Sequence, residues 1–211
     1  ASFDLILTDP PYGINADNFG SMADTAHSYA DTAEYALSCY EMVAQEGFRV
    51  AKDQAHCYVF LDPRYWTPVS LAFASAGWDV WPVPLIWSKG NGMLPKPEHG
   101  PRRTYEMILF ANKGNRKVLK VAPDVIPVPL TLDREHGAQK PVLLYRELIS
   151  RSLLPSQTVL DLFAGSGTIF PAANAQKVTA TACELSKEYY NLALSRIDQS
   201  DDISDLMGGL V

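Results

Sequence analysis

Six short apolar runs, separated for the most part by stretches of helical period, constrain this chain more than any other feature. They are FDLILT (3–8), HCYVFLD (56–62), VPLIWSK (83–89), YEMILFANK (105–113), TVLDLFAG (158–165) and VTATACEL (178–185). Their length and apolar content predict strands buried in a sheet. Residues 32–51, 140–153 and 187–197 repeat apolar positions near a helical period, and PRYWTPVSLAFASAG carries a short helix stopped by Gly77. GTIFPAANAQ opens another, with Pro171 close enough to its start to be tolerated. Strands alternating with helices predict an α/β fold, a sheet with helices on both faces. In such sheets ligands gather at the carboxyl ends of the strands.

The 211 residues suit one domain. We read it as residues 1–200, with a Gly/Pro-rich basic segment inserted at about 90–135 and a loose acidic tail at 201–211. No apolar run approaches a membrane span and no signal peptide is visible, so no membrane partner is expected. Cys39, Cys57 and Cys183 are scattered without a CxxC. That pattern speaks against a disulfide framework or a metal site and fits a reducing cytoplasm. The chain opens ASFDL without a methionine, close to the first strand, so residues upstream are expected. Net charge is -6, yet residues 89–120 hold eight basic side chains against Glu98 and Glu106. Such a segment can meet a phosphate backbone, and it can equally be a solvated loop.

Two predicted strand ends carry chemistry. The first is TDPPY, residues 8–12. Asp9 places a carboxylate at the strand end, Pro10 and Pro11 stiffen the corner and remove two backbone donors, and Tyr12 adds an aromatic plate. The second is DLFAGSGT, residues 161–168. Gly165 and Gly167 let backbone approach a ligand, and the helix start behind them offers free N–H groups. Glu184 ends the next strand, where an acid commonly takes ribose hydroxyls. The third glycine of a dinucleotide fingerprint and the lysine of a P-loop are both absent, which leaves a mononucleoside-like ligand without a pyrophosphate. Taken alone, a GxG also fits an ordinary tight turn.

Together, DPPY, then HGAQKPVLLYRELI (136–149), then FAGSGT resemble the amino-group DNA methyltransferases, in the permuted motif order of their β group. WSKGNG and YEMILFANKG are similar to further family landmarks, and the resemblance runs from about residue 3 to residue 197. It implies a Rossmann-like sheet, circularly permuted, using S-adenosylmethionine to methylate the exocyclic N6 of adenine in DNA after base flipping. Asp9, Pro10, Pro11 and Tyr12 would be the catalytic corner. The Asp9 carboxylate and the Pro10 carbonyl would accept hydrogen bonds from an amine whose lone pair is otherwise delocalised, and Tyr12 would stack on the base. Asp161, Phe163, Ala164, Gly165, Ser166, Gly167 and Thr168 would form the cofactor turn. Glu184 would hold the ribose, and Gln139, Lys140 and Pro141 would close over the methionine end. Arg102 and Arg103, then Lys89 and Lys96, are the candidates for DNA contact.

The family's HP is HG here (His136, Gly137), and its GTT is GTI, ending on Ile169. A GD-type segment that helps hold the cofactor adenine lies upstream of DPPY in the family, and this chain begins after that point. Residues 13–31, with Phe19, His27 and Tyr29, follow the corner and are candidates to cover the flipped base. Tyr189 and Tyr190 read as packing residues. An N4-cytosine enzyme, for which SPPY is the commoner corner, is the nearest alternative, and a cofactor- or DNA-binding module without turnover is another. RNA and protein amide methyltransferases generally carry the glycine motif first, so the order here speaks against them. A second copy of the chain is a candidate partner. Restriction partner, cell-cycle mark and phage self-modification are all compatible settings.

Overall fold

The structure is a computed structural model that describes residues 2–13, 32–90, 101, 103–130 and 139–207. Along the chain run β1 (Phe3–Thr8), α1 (Ala33–Val50), β2 (Ala51–Leu61), a 3-10 turn (Pro63–Tyr65), α2 (Trp66–Ala76), β3 (Asp79–Val80), β4 (Leu85–Ser88) and β5 (Tyr105–Lys113). There follow β6 (Val125–Pro127), α3 (Val142–Ser152), β7 (Thr158–Asp161), α4 (Ile169–Asn174), β8 (Thr179–Ala182) and α5 (Lys187–Met207). The strands form one sheet in the order β6-β4-β5-β2-β1-β7-β8, with short β3 also paired to β5.

Alternation along each central strand feeds two cores. Leu5 and Leu7 of β1, Tyr58 and Phe60 of β2, and Ile108 and Phe110 of β5 face α3 and α4. Ile6, Cys57, Val59, Leu61, Met107, Leu109 and Ala111 face α1 and α2. Side chains alternate at period two, so a strand apolar on both faces must be covered on both, as the sequence predicts.

Strand direction places the site. β1 is parallel to β2 and β7, β7 to β8, and β4 to β6. β5 is antiparallel to β2, β3 and β4. The carboxyl ends of the parallel strands therefore share one edge of the sheet with the amino end of β5. Asp9, Asp62, Lys89, Glu106 and Asp161 all fall on or beside that edge. The opposite edge is clamped by Asp4, whose Oδ2 accepts from Thr158 N at 3.0 Å, Thr158 Oγ1 at 2.9 Å and Lys52 Nζ at 2.8 Å.

Several boundaries differ from the sequence reading. β2 starts at Ala51, and its extra residues are accommodated by a register shift against β1 between Phe3 and Leu5. β6 lies within a stretch expected to be irregular. It forms because Ile126 is buried in the core and the strand sits at an edge, where Pro127 need not donate to a neighbour. α5 continues to Met207, into the expected loose tail, because no proline or glycine interrupts the chain before Gly208. Residues 208–211 lie outside the described residues.

Candidate active site

The first strand end builds a buried charge cluster. One Asp9 oxygen, Oδ2, accepts from Lys140 Nζ at 2.5 Å. Lys140 also lies 3.2 Å from Glu106 Oε2. That same Glu106 oxygen accepts from the Tyr12 hydroxyl at 2.8 Å, and Lys89 pairs with Oε1. The Lys140 side chain is only 8% exposed, Glu106 12% and Asp9 20%. Lys140 sits over the rings of Tyr12 and Phe60, 5.2 and 5.1 Å from their centroids. The other Asp9 oxygen, Oδ1, is buried and has no hydrogen-bond partner among the described residues.

Burial pushes the Asp9 carboxyl up, Lys140 opposes this and Glu106 adds to it, so Asp9 lies above the usual carboxylate range. Burial would raise Glu106 as well. The ammonium groups of Lys140 and Lys89 outweigh it and hold Glu106 at about 2. Burial disfavours the Lys140 charge, yet Asp9 and Glu106 more than restore it and raise its pKa. The result is a buried lysine kept charged by two carboxylates.

The second strand end adjoins the first because β1 and β7 are hydrogen-bonded neighbours. Thr8 Oγ1 donates to Asp161 Oδ1 at 2.7 Å and accepts from Leu162 N at 3.1 Å. Asp161 Oδ1 also accepts from Phe163 N at 3.0 Å. The Asp161 carboxylate is thus enclosed beneath the turn and holds its shape, and burial raises it to about 7. Asp161 thus braces from beneath the turn it was expected to help form. Phe163 is half-buried against the α1/α2 core. Ala164, Ser166 and Thr168 are buried, and Thr168 Oγ1 donates to the Lys140 carbonyl at 3.3 Å, tying the turn to the segment before α3.

The two glycines of the turn do different work. Gly165 has φ +51, and a Cβ there would meet nothing within 4 Å. Its N–H donates to Glu184 Oε2 at 2.8 Å, while Glu184 Oε1 accepts from Ser186 N at 2.8 Å. An open backbone position beside a carboxylate with spare lone pairs suits a ligand bearing hydroxyls. Gly167 has φ +80, and a Cβ would lie 2.8 Å from Ala193 on α5. Helix packing, rather than ligand approach, requires that glycine. Gln139 Oε1 is buried without a partner among the described residues, an acceptor available to the ammonium or amide end of a ligand.

Lys140, expected with Gln139 and Pro141 over the cofactor, is directed onto Asp9 at the DPPY corner, because Asp9 and Glu106 are the anions that can hold a buried ammonium. Lys89, expected on DNA, is turned inward onto Glu106 and the Trp87 ring. Arg103 is half-exposed and pairs with the buried Asp62 at 2.9 Å, at the same edge as Asp9. The described cations of the basic segment do not form one face. Lys113 donates to the carbonyls of Phe48 and Ala51, Arg116 pairs with Asp4, and Lys120 pairs with Glu147. β5 runs antiparallel, so its nine residues carry these cations roughly 25 Å from its site end at about 3.3 Å per residue. Of the tyrosine pair, Tyr189 is half-buried, and Tyr190 is exposed under Lys187, since α5 turns Ala193 inward. Lys96, Arg102, His136, Phe19, His27 and Tyr29 lie outside the described residues.

Sequence reasoning did not single out Glu106, Asp62 or the Lys140–Asp9 pair. The only signal for Glu106 was an acid at the start of an apolar strand. Among the described residues there is no helix long and apolar enough to cross a membrane and no cluster of side chains that could hold a metal.

A family model described as DNA methylase, of the N6/N4 type, matches residues 3–133 and 117–195. Type II methyltransferase M.HpaI of Haemophilus parainfluenzae is 24% identical, over 93% of this chain and 68% of that protein. The DNA adenine methyltransferase YhdJ of Escherichia coli K12 is 24% identical over 96% of this chain and 79% of that protein. The M1.HpyAVI–SAM complex superposes with a TM-score of 0.68 at 24% identity, covering 92% of this chain and 89% of the other. The PvuII cytosine-N4-specific DNA methyltransferase superposes with a TM-score of 0.69 at 15% identity, covering 97% and 85%. These two structures share the fold.

Proposed function

The chain belongs to the N6/N4 DNA methylase family, and on that premise we propose that it transfers a methyl group from S-adenosylmethionine to the exocyclic N6 of adenine in DNA. The observation that carries this reading is Asp9. One of its oxygens is held by Lys140, and the other is buried with no partner among the described residues. A buried acceptor kept vacant is costly unless something fills it during function. An N–H of an exocyclic amine is such a donor.

The cofactor reading rests on the open position at Gly165, the Glu184 carboxylate and the unpaired Gln139 oxygen. When bound, S-adenosylmethionine supplies a sulfonium methyl, which the amine lone pair takes as the carbon–sulfur pair returns to sulfur. The chain's own residues do the rest. Asp9 Oδ1 and the Pro10 carbonyl draw the amine hydrogens to one side and bring the nitrogen toward tetrahedral geometry. Fixed acceptors act by positioning and electrostatics, because they need no reorganisation as charge develops. The base must leave the duplex to reach this buried corner. Tyr12 is a plate for it, worth about 1–3 kcal/mol for an aromatic–base stack. The proton lost from the methylated nitrogen leaves through Asp9.

A cytosine N4 amine has the same chemistry, and the fold is shared with a cytosine-N4-specific enzyme. Adenine is favoured by the aspartate that opens DPPY and by the similarity to the DNA adenine methyltransferase YhdJ. Transfer of labelled methyl from S-adenosylmethionine to unmethylated DNA, followed by digestion to nucleosides, tests the reading. N6-methyladenine is expected. N4-methylcytosine would overturn the base assignment, and no labelled nucleoside would overturn turnover itself.

A further inference from the structure

We propose that Glu106 is a positioning residue for methyl transfer, one carboxylate that sets both the Asp9 acceptor and the Tyr12 plate. The inference rests on the reading of Asp9 and Tyr12 as the catalytic corner. It adds a group that lies outside the motif, 94 residues from Tyr12 along the chain.

A single Glu106 oxygen receives both the Tyr12 hydroxyl, at 2.8 Å, and Lys140, at 3.2 Å. Lys140 in turn occupies Asp9 Oδ2, which leaves Oδ1 as the acceptor aimed at an incoming amine. Without Glu106, Lys140 would face one carboxylate instead of two in a nearly enclosed site. The Tyr12 hydroxyl would lose its acceptor. The second Glu106 oxygen is held by Lys89 from the end of β4, so the carboxylate is fixed from three elements. Glu106 occupies this place because β5 is antiparallel and begins at the site edge.

The arrangement makes the pH profile diagnostic. The titratable groups around the pair are Tyr12 after β1, Tyr40 on α1, Lys89 after β4, Lys140 and Tyr145 at α3, and Asp161 on β7. The Glu106 charge raises Asp9 and raises Lys140. Glu106→Gln keeps the shape and an acceptor for Tyr12 but removes the charge. Both limbs of the kcat profile should then move to lower pH, the acid limb with Asp9 and the alkaline limb with Lys140.

The experiment is single-turnover methyl transfer to unmethylated DNA as a function of pH, with the full chain and its Glu106→Gln, Lys89→Gln and Tyr12→Phe variants. A 13C titration of the Asp9 carboxyl accompanies it and needs no turnover. For Glu106→Gln we expect kcat to fall about 10- to 100-fold, as misplacement of reacting groups does, with KM for DNA within twofold and both limbs shifted acid. Tyr12→Phe should cost less and be non-additive with Glu106→Gln. Lys89→Gln removes a cation from beside the carboxylates, and loss of positive charge raises a carboxyl's pKa, so its acid limb should move to higher pH. This variant carries the test if Glu106→Gln does not fold. A wild-type profile in both charge variants, or losses confined to KM for DNA, would overturn the proposal. If the wild-type chain methylates nothing while Glu106→Gln still lowers the Asp9 titration, the functional reading fails and the coupling stands. An unmoved Asp9 titration in both charge variants overturns the coupling whatever the turnover.

Discussion

Asp9 and His56 show how burial sets a residue's role. Asp9 keeps one buried oxygen vacant and is the group a substrate would touch. Replacing it with alanine should lower methyl transfer by on the order of 10²- to 10³-fold, the cost of losing an oriented hydrogen-bonding group. Cofactor affinity, measured by calorimetry, should be little changed, since Gly165 and Glu184 follow the ends of other strands, β7 and β8. His56 is fully buried between Ser152 Oγ at 2.8 Å and the Arg116 carbonyl at 3.0 Å. Burial holds its pKa at about 4. The unfolded chain therefore binds a proton near pH 6.5 that the folded chain refuses until about pH 4. Stability is fully present above that window and falls as pH drops through it, by about 3 kcal/mol from this residue. Asp161, raised to about 7, acts oppositely, binding its proton in the folded state first. The His56 contribution is isolated as the difference between denaturant midpoints of the wild-type chain and His56→Gln across pH 4–7. A constant difference would contradict it.

At the scale of elements, the glycine turn divides its labour. Gly165 faces open space and Gly167 faces α5, and both have positive φ. Gly165→Ala should cost about 1 kcal/mol for the left-handed backbone, while cofactor binding weakens because the new methyl projects where a ligand approaches. Gly167→Ala adds a clash with the Ala193 backbone and should lower the thermal midpoint further. Calorimetry and cofactor titration of the two variants should show opposite orders of damage. The sequence supplied both glycines but not this division, because the Ala193 contact is made only when α5 packs on α4. β6 is similar. Pairing to β4 at the edge of the sheet, and not local propensity, turns Val125–Pro127 into a strand.

Across the whole molecule, the sheet separates the edge that carries Asp9 and Glu106 from a structural one. The structural edge is centred on Asp4, which is buried and held below the usual carboxylate range because Lys52 and the Thr158 donors outweigh its burial. It ties β1 to β2 and β7. Asp4→Ala leaves the Thr158 amide short of its acceptor and Arg116 and Lys52 short of an anion. About 3 kcal/mol should be lost, the usual cost of removing one partner of a buried ionic network. Denaturant unfolding would measure this. The described cations of residues 89–120 fall on both edges, which is why their clustering in sequence is no guide to a single DNA-facing surface.

The sequence by itself determined the alternation of strands and helices, the two faces of the sheet, and the two strand ends that carry DPPY and the glycine turn. These are local matters of periodicity, proline, glycine and strand-end polarity, and each is encoded within a few residues. Only the tertiary structure decided that Lys140 belongs to Asp9, that Lys89 turns inward and that Glu106 stands at the corner. The contacts of Tyr12 with Glu106 and of Asp9 with Lys140 join residues about a hundred positions apart, and all three follow from the antiparallel run of β5 and from the need of a buried charge for a partner.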